Sequence, residues 1–138
     1  MNDTIGKWNI ATGLWVMAGF MAYGFLLIWL RDFAPGKEAW IAASHTGAHF
    51  EARMAHVHGN LFAFLNIVFG FLLLKLPIDA RAARRIALLA LGGLLMPLGI
   101  LGEVYLGLPP FPVLVGALSI FAATVSLALA VLHLRAGA

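Results

Sequence analysis

The stretch HVHGNLFAFLNIVFGFLLLKL, residues 56–76, decides the fold class of this chain. After its first five residues it is apolar except for Asn66 and, next to its end, Lys75. A helix needs about 20 mainly apolar residues to cross the hydrocarbon core of a bilayer. The apolar run is continuous rather than alternating, which argues against a strand of a membrane β-barrel. The stretch therefore predicts a transmembrane helix.

Three further stretches of the same kind lie along the chain, at about residues 10–30, 86–106 and 113–134. Of the 138 residues only 11% are charged, whereas soluble domains carry about 25% charged residues. Short loops make successive helices antiparallel neighbours. The sequence therefore predicts an all-α integral membrane four-helix bundle, formed by one transmembrane domain over residues 1–138.

The basic residues predict how the helices are oriented. Three of them, Arg31, Lys37 and Arg53, fall on one side of the membrane if there are four spans. The other six fall on the opposite side: Lys7, Lys75, Arg81, Arg84, Arg85 and Arg135. Because Lys and Arg accumulate in cytoplasmic loops, we expect both termini in the cytoplasm and the protein in the inner (cytoplasmic) membrane. Basic residues spread along loops do not favour nucleic-acid binding.

The residue types present limit the ligands for a metal or cofactor. The chain has no cysteine, which excludes iron–sulfur clusters, thiolate ligands and covalently attached haem. Histidine is the most versatile ligand that remains. Four of the five histidines lie at or just before the start of the second span: His45, His49, His56 and His58. Ionisable residues inside a membrane are rare and usually functional, so these histidines are candidate site residues. The alternative for His56 and His58 is an interfacial histidine hydrogen-bonded to a neighbouring helix, and the alternative for His45 and His49 is a loop histidine.

Helical geometry separates these histidines into two faces. If the helix extends back to about residue 43, His45, His49 and His56 form one stripe. His58 then lies about 200° from His56, and Asn60 lies one turn beyond His56 on the same face. A bend near residues 46–47 would remove His45 from the stripe.

The third span places two more polar residues at the same membrane face as His56. Glu103 has three possible roles: it pairs with Arg53, extends to the interface, or acts as an acid or base. Tyr105 is either an interfacial tyrosine or a hydrogen-bond donor to a substrate oxygen.

Two short stretches resemble the styrene oxide isomerase family of small four-span membrane haem proteins. In that family R-A-H, followed by a nearby glycine, opens the second membrane helix. In ARMAHVHGNL, residues 52–61, Arg53, His56 and Gly59 stand in that arrangement, with Arg53 one residue further from the histidine. GILGEVYLG, residues 99–107, is similar to the glycine-rich stretch of those isomerases that ends in a functional tyrosine.

The resemblance implies a homotrimer that binds haem b at its subunit interfaces, with His56 as the axial ligand of the iron. Arg53 and His58 are then candidate contacts of the cofactor. Ferric haem would act as a Lewis acid on a small apolar epoxide, which opens with a 1,2-hydride shift to give an aldehyde. Tyr105 would assist at the oxygen.

Two functional residues of the family have no direct counterpart here. The family has an asparagine six residues past the axial histidine, where this chain has Phe62, and Asn60 is the candidate substitute. The family's aspartate falls in the region around Pro97, and Glu103 is the only carboxylate of that span. Asn60 and Glu103 therefore join Tyr105 as candidate catalytic residues, and haem binding is better supported than isomerisation.

Two other functions remain open. One is a non-catalytic membrane haem protein, for electron transfer or haem sensing, in which His49 or a histidine of another subunit is a second iron ligand. The other is a metal-ion-binding or structural membrane protein, in which His45, His49 and His56 bind zinc or copper, or nothing.

Overall fold

In a computed structural model, which describes residues 4–134, the chain is helical and these residues form no strand. Its helices are α1 (Ile5–Asp32), α2 (Lys37–Ala42), α3 (Gly47–Lys75), α4 (Ala80–Gly92), α5 (Leu95–Leu106) and α6 (Phe111–Leu132). Since α4 and α5 follow each other as one span, four segments are long and apolar enough to cross a membrane. The all-α class and a multi-pass membrane protein are thereby supported. The orientation of the termini stays a prediction, and Arg135 lies outside the described residues.

The second span begins at Gly47, earlier than its apolar stretch. Thr46 is extended, and Gly47 has a φ of 59°, a left-handed conformation that glycine adopts without steric cost. This bend separates His45 from the helix and leaves His49 and His56 on α3. The stripe of three histidines is therefore reduced to two.

The third span is interrupted at residues 93–94, between α4 and α5. Pro97 has no N–H to donate to the carbonyl of Gly93, four residues earlier, and its ring would clash with that carbonyl in a regular helix. The N–H of Met96 donates to the Gly93 carbonyl instead, at 3.1 Å. The chain therefore makes one tighter turn before α5 continues.

The molecule has two ends, which we name by their residues. The histidine end comprises residues 21–60 and 103–111, and the arginine end comprises residues 4–9, 70–89 and 126–134. At the arginine end α1 and α3 are in backbone contact, since a Cβ on Gly6 or on Gly70 would overlap the other's carbonyl oxygen. A Cβ on Gly13 would lie 2.7 Å from the carbonyl oxygen of Ala63.

Towards the histidine end side chains fill the space between the same two helices. The ring of Phe20 covers Gly59, and the ring of His56 lies beside Gly24. An aromatic ring and then an imidazole fit between α1 and α3 here. The helix pair therefore changes along its length from direct backbone contact to contact through side chains.

Two asparagines join α1, α3 and α4 in the core. Asn9 and Asn66 are fully buried, and the Asn9 amide nitrogen donates to Asn66 Oδ1 and to the carbonyl of Ala87, both at 3.0 Å. The Asn66 amide nitrogen donates to the carbonyls of Phe62 at 3.0 Å and Ala90 at 2.8 Å. Hydrogen bonds between helices stabilise helix association in lipid, where apolar surface gives no driving force.

The central spans are the second and third. In their most apolar windows 39% and 50% of residues are buried, against 11% in α1 and 22% in α6. α1 and α6 are therefore the less buried of the four spans.

Candidate functional site

A cavity of about 730 Å³ lies at the histidine end, between α1, the connection that follows it, and α3. Small-molecule sites have volumes of roughly 300–1,000 Å³. Four of the predicted site residues line this cavity: His49, Arg53, His56 and Asn60. The other lining residues are mainly apolar and are Met21, Gly24, Phe25, Leu27, Ile28, Arg31, Ile41 and Ser44. The structure therefore brings four of the five predicted site residues of α3 together on one cavity wall.

His56 is half-buried in this wall and has room for its ring because residue 24 is glycine. A Cβ on Gly24 would lie 2.7 Å from Cε1 of His56 and 3.3 Å from Nε2. The Asn60 amide nitrogen donates to the His56 carbonyl at 2.9 Å and lies 3.4 Å from His56 Nδ1. Nε2 of His56 has no hydrogen-bond partner among residues 4–134. Asn60 thus contacts one side of the imidazole and leaves the other nitrogen available to a ligand.

Two arginines border the cavity. Arg53 donates from Nη1 to the carbonyl of Ser44 at 3.2 Å. Arg31 forms a bidentate pair with Asp32, at 2.8 Å and 2.7 Å. Each guanidinium carries five N–H groups, so both arginines keep donors for an anionic group at the cavity edge. Arg53 and Glu103 do not form an ion pair. The only ion pair among residues 4–134 is Arg31–Asp32.

His49 fixes the connection between α2 and α3. Its side chain is 8% exposed, and its ring stacks on Trp40 with centroids 4.0 Å apart. Nδ1 of His49 donates to the carbonyl of Trp40, since a carbonyl oxygen only accepts. Nε2 is then the nitrogen left for a ligand. Within residues 4–134 no three His, Asp or Glu side chains are close enough to share a metal ion, so the site of His45, His49 and His56 is not formed.

His58 does not line the cavity. Its Nδ1 donates to the carbonyl of Met54 at 2.8 Å, and its ring lies edge-on to Phe62 at 5.9 Å. The separation of His58 from His56 agrees with their expected positions on different faces of one helix. Of the two, only His56 is brought to the cavity.

Tyr105 and Glu103 lie outside the cavity. The Tyr105 hydroxyl is hydrogen-bonded to the hydroxyl of Tyr23 at 2.9 Å, and the Tyr23 ring lies 6.3 Å from the His56 ring. Tyr105 is 54% exposed, and Glu103 is partly exposed with no hydrogen bond or ion pair inside the described chain. Tyr105 is therefore connected to His56 through Tyr23 rather than by direct contact.

Sequence reasoning missed the contribution of α1 to the site. Gly24, Arg31 and Tyr23 are all on this helix. One signal was present, since Tyr23 is one of only two tyrosines and lies in an apolar span. Which face of α1 meets α3 depends on the rotation of one helix against the other, and no motif in α1 specified it.

Comparison with known proteins assigns no family: no protein-family model, curated protein or solved structure matches the chain. The resemblance to styrene oxide isomerases depends on the two short stretches described above. The cavity itself combines a free imidazole nitrogen, a neighbouring amide, two guanidinium groups and apolar walls.

Proposed function

We propose that this chain is a membrane-embedded haem b protein in which His56 is the axial ligand of the iron. The observation that carries the proposal is the available Nε2 of His56 in the wall of a largely apolar cavity of about 730 Å³. Haem b requires an apolar surface for its ring and an axial side-chain ligand for its iron. The chain has no cysteine, and imidazole is a common axial ligand of haem iron.

The polar residues of the cavity fit the remaining groups of haem b. Its two propionates need cations at the edge of the site, and Arg31 and Arg53 border the cavity. Arginine binds carboxylates with paired hydrogen bonds, which add direction as well as energy. Asn60 acts on His56 as a positioning residue, because a partner at the second ring nitrogen orients a ligating histidine.

We propose a trimer with haem at the subunit interfaces from the family resemblance, and the exposed face of α1 leaves a surface for a neighbouring subunit. Phe25 and Ile28 line the cavity and are 70% and 46% exposed, so the cavity continues onto an apolar surface. A neighbouring subunit or lipid would cover that surface. We place the protein in the inner membrane with both termini cytoplasmic, since basic residues are concentrated at the arginine end.

The proposed activity is the isomerisation of a small apolar epoxide to an aldehyde. When bound, ferric haem with an open coordination position supplies a Lewis acid for epoxide opening. In this chain the Tyr105 hydroxyl would stabilise charge on the epoxide oxygen, and Tyr23 would position it through their hydrogen bond. Asn60 and Glu103 are the further candidate catalytic residues. An apolar substrate would reach the histidine end from the lipid.

One observation favours a second candidate, a haem protein without this activity. Tyr105 lies outside the cavity that contains His56. A haem sensor or electron carrier needs the haem site but does not need a hydrogen-bond donor to a substrate, such as Tyr105, beside it. The two candidates share the haem and differ in whether Tyr105 acts on a substrate.

The test is haem content followed by turnover. The chain is expressed with haem supplied and purified in mild detergent, and haem b per chain is measured from its pyridine complex. Aldehyde formation from a small aryl epoxide is then followed by NMR. We expect about one haem per chain, and Tyr105→Phe should keep the haem but slow turnover by about 100-fold.

The possible outcomes either distinguish the two candidate functions or contradict both. Haem with no aldehyde from the unmodified protein would favour the sensor or electron carrier. Turnover that Tyr105→Phe leaves unchanged would remove the role given to that hydroxyl. Absence of haem would contradict both candidates.

A further inference from the structure

We propose that the arginine end binds the phosphate group of an anionic phospholipid, in a second cavity distinct from that of His56. This cavity, of about 610 Å³, lies between α4, α6 and the loop that precedes α4. Its polar lining residues are Asp79, Arg85, Ser126 and His133. The proposal does not depend on haem binding.

The polar groups of this cavity are available to a ligand. The Arg85 guanidinium makes no hydrogen bond or ion pair with any residue in the range 4–134. His133 donates from Nδ1 to the carbonyl of Leu129 at 2.6 Å, which leaves Nε2. The Ser126 hydroxyl likewise has no partner in the part of the chain that the structure describes.

The one acidic residue of the lining, Asp79, is engaged through one of its two carboxylate oxygens. The Asp79 carboxylate caps α4 by accepting from the backbone N–H groups of Arg81, at 2.9 Å, and Ala82, at 3.2 Å. Both bonds end on Oδ2, and Asp79 forms no ion pair with Arg85 among residues 4–134. The positive charge of Arg85 is left to an external anion.

The surroundings of the cavity are basic. Within residues 4–134 the arginine end carries Asp79 as its acidic residue and five basic ones: Lys7, Lys75, Arg81, Arg84 and Arg85. Basic pockets between transmembrane helices bind anionic lipid headgroups. The charge therefore favours an anion over a zwitterionic headgroup.

The apolar wall of the cavity favours a lipid over a soluble phosphate. Ile86 and Leu89 of α4 face Leu129 and Ala130 of α6 across the cavity. A guanidinium binds a phosphate through paired hydrogen bonds, and the apolar wall would receive the start of an acyl chain. A free phosphate would use only the polar part of this cavity.

The test compares two adjacent arginines of α4. Arg85 lines the cavity and Arg84 does not, while both are exposed. The full chain in detergent is titrated with palmitoyl-oleoyl phosphatidylglycerol, and bound lipid is measured by native mass spectrometry. We expect Arg85→Gln to weaken the apparent Kd by about tenfold, whereas Arg84→Gln changes it less than about twofold. His133→Ala should weaken it to a smaller extent than Arg85→Gln.

Two further ligands identify the source of the phosphate. Phosphatidylcholine of the same chain length should bind about tenfold more weakly, because its phosphate is neutralised by choline. Inorganic phosphate at equal concentration should not displace the lipid. Displacement by phosphate, equal binding of the two lipids, or equal losses in the two arginine variants would each overturn the proposal.

Discussion

Asn60 and Asn66 stand on the same helix, and their surroundings differ completely. Asn66 is fully buried and is hydrogen-bonded to Asn9 of α1 and to the Ala90 carbonyl of α4. Asn60 is half-buried, contacts His56 of its own helix, and lines a cavity. Six residues correspond to about 9 Å of helix. α3 therefore passes from closed core to open site within two turns.

The difference shows how this chain combines stability with a site. Helices in lipid associate through close packing and hydrogen bonds, since lipid chains are as apolar as the helices. Gly6 and Gly70 supply the close packing at the arginine end of α1 and α3, and the Asn9–Asn66 pair supplies a hydrogen bond beside it. The histidine end of the same pair can then leave space around His56.

The largest loss of stability is expected from separating α1 and α3 where their backbones touch. In Gly70→Ala the new Cβ would lie 3.0 Å from the backbone nitrogen of Ile10 and closer still to the Gly6 carbonyl oxygen. These backbone atoms of α1 cannot move aside as the end of a side chain can. We therefore expect the free energy of unfolding to fall by about 3 kcal/mol. SDS titration of the detergent-solubilised protein measures it.

Gly19→Ala is the matched control on α1. A Cβ there meets nothing within 4 Å, so this variant should be as stable as the unmodified protein, or more stable by up to about 1 kcal/mol. Equal losses in Gly70→Ala and Gly19→Ala would show that close contact at the arginine end does not hold the helix pair together.

The second test compares the two asparagines directly. Asn66→Ala removes the acceptor of Asn9 and the hydrogen bond to α4, so the free energy of unfolding should fall by about 2 kcal/mol. Asn60→Ala removes contacts within one helix and should cost less than about 0.5 kcal/mol. The same SDS titration measures both, and a larger loss in Asn60→Ala would reverse the assignment of core and site.

The third and smallest effect is confined to the histidine end. In Gly24→Ala the new methyl group would lie 2.7 Å from Cε1 of His56, so the imidazole must turn, and this costs little because a side chain can move. Haem affinity, measured by titration of haem into the purified protein, should fall about tenfold. Gly19→Ala, also on α1, should bind haem normally. An unchanged affinity in Gly24→Ala would mean that the position of His56 does not matter for haem.

The sequence predicted the parts of this structure that follow from apolar length and helical period. Such features are the four spans, Asn60 on the face of His56, and His58 on another face. The bend at residues 46–47 is one of two possibilities that the sequence leaves open. Pro97 explains the interruption of the third span, although the break itself falls at residues 93–94.

The remaining features depend on how helices are rotated and crossed. A Cβ on Gly70 would meet backbone atoms of α1, whereas a Cβ on Gly19 would meet nothing within 4 Å. In the sequence both glycines lie in similar apolar stretches. For the same reason the hydrogen bond of Tyr105 with Tyr23, and the position of Arg31 at the cavity, could not be derived from spacing along one helix.

We infer that His56 holds the iron of a haem, and a visible absorption spectrum tests this claim. Ferric and dithionite-reduced spectra are recorded for the detergent-purified protein, for His56→Ala and for His58→Ala, each expressed with haem supplied. We predict a Soret band in the unmodified protein and in His58→Ala, and its loss in His56→Ala. A Soret band retained in His56→Ala, lost only in His58→Ala, or absent from all three proteins would contradict the claim.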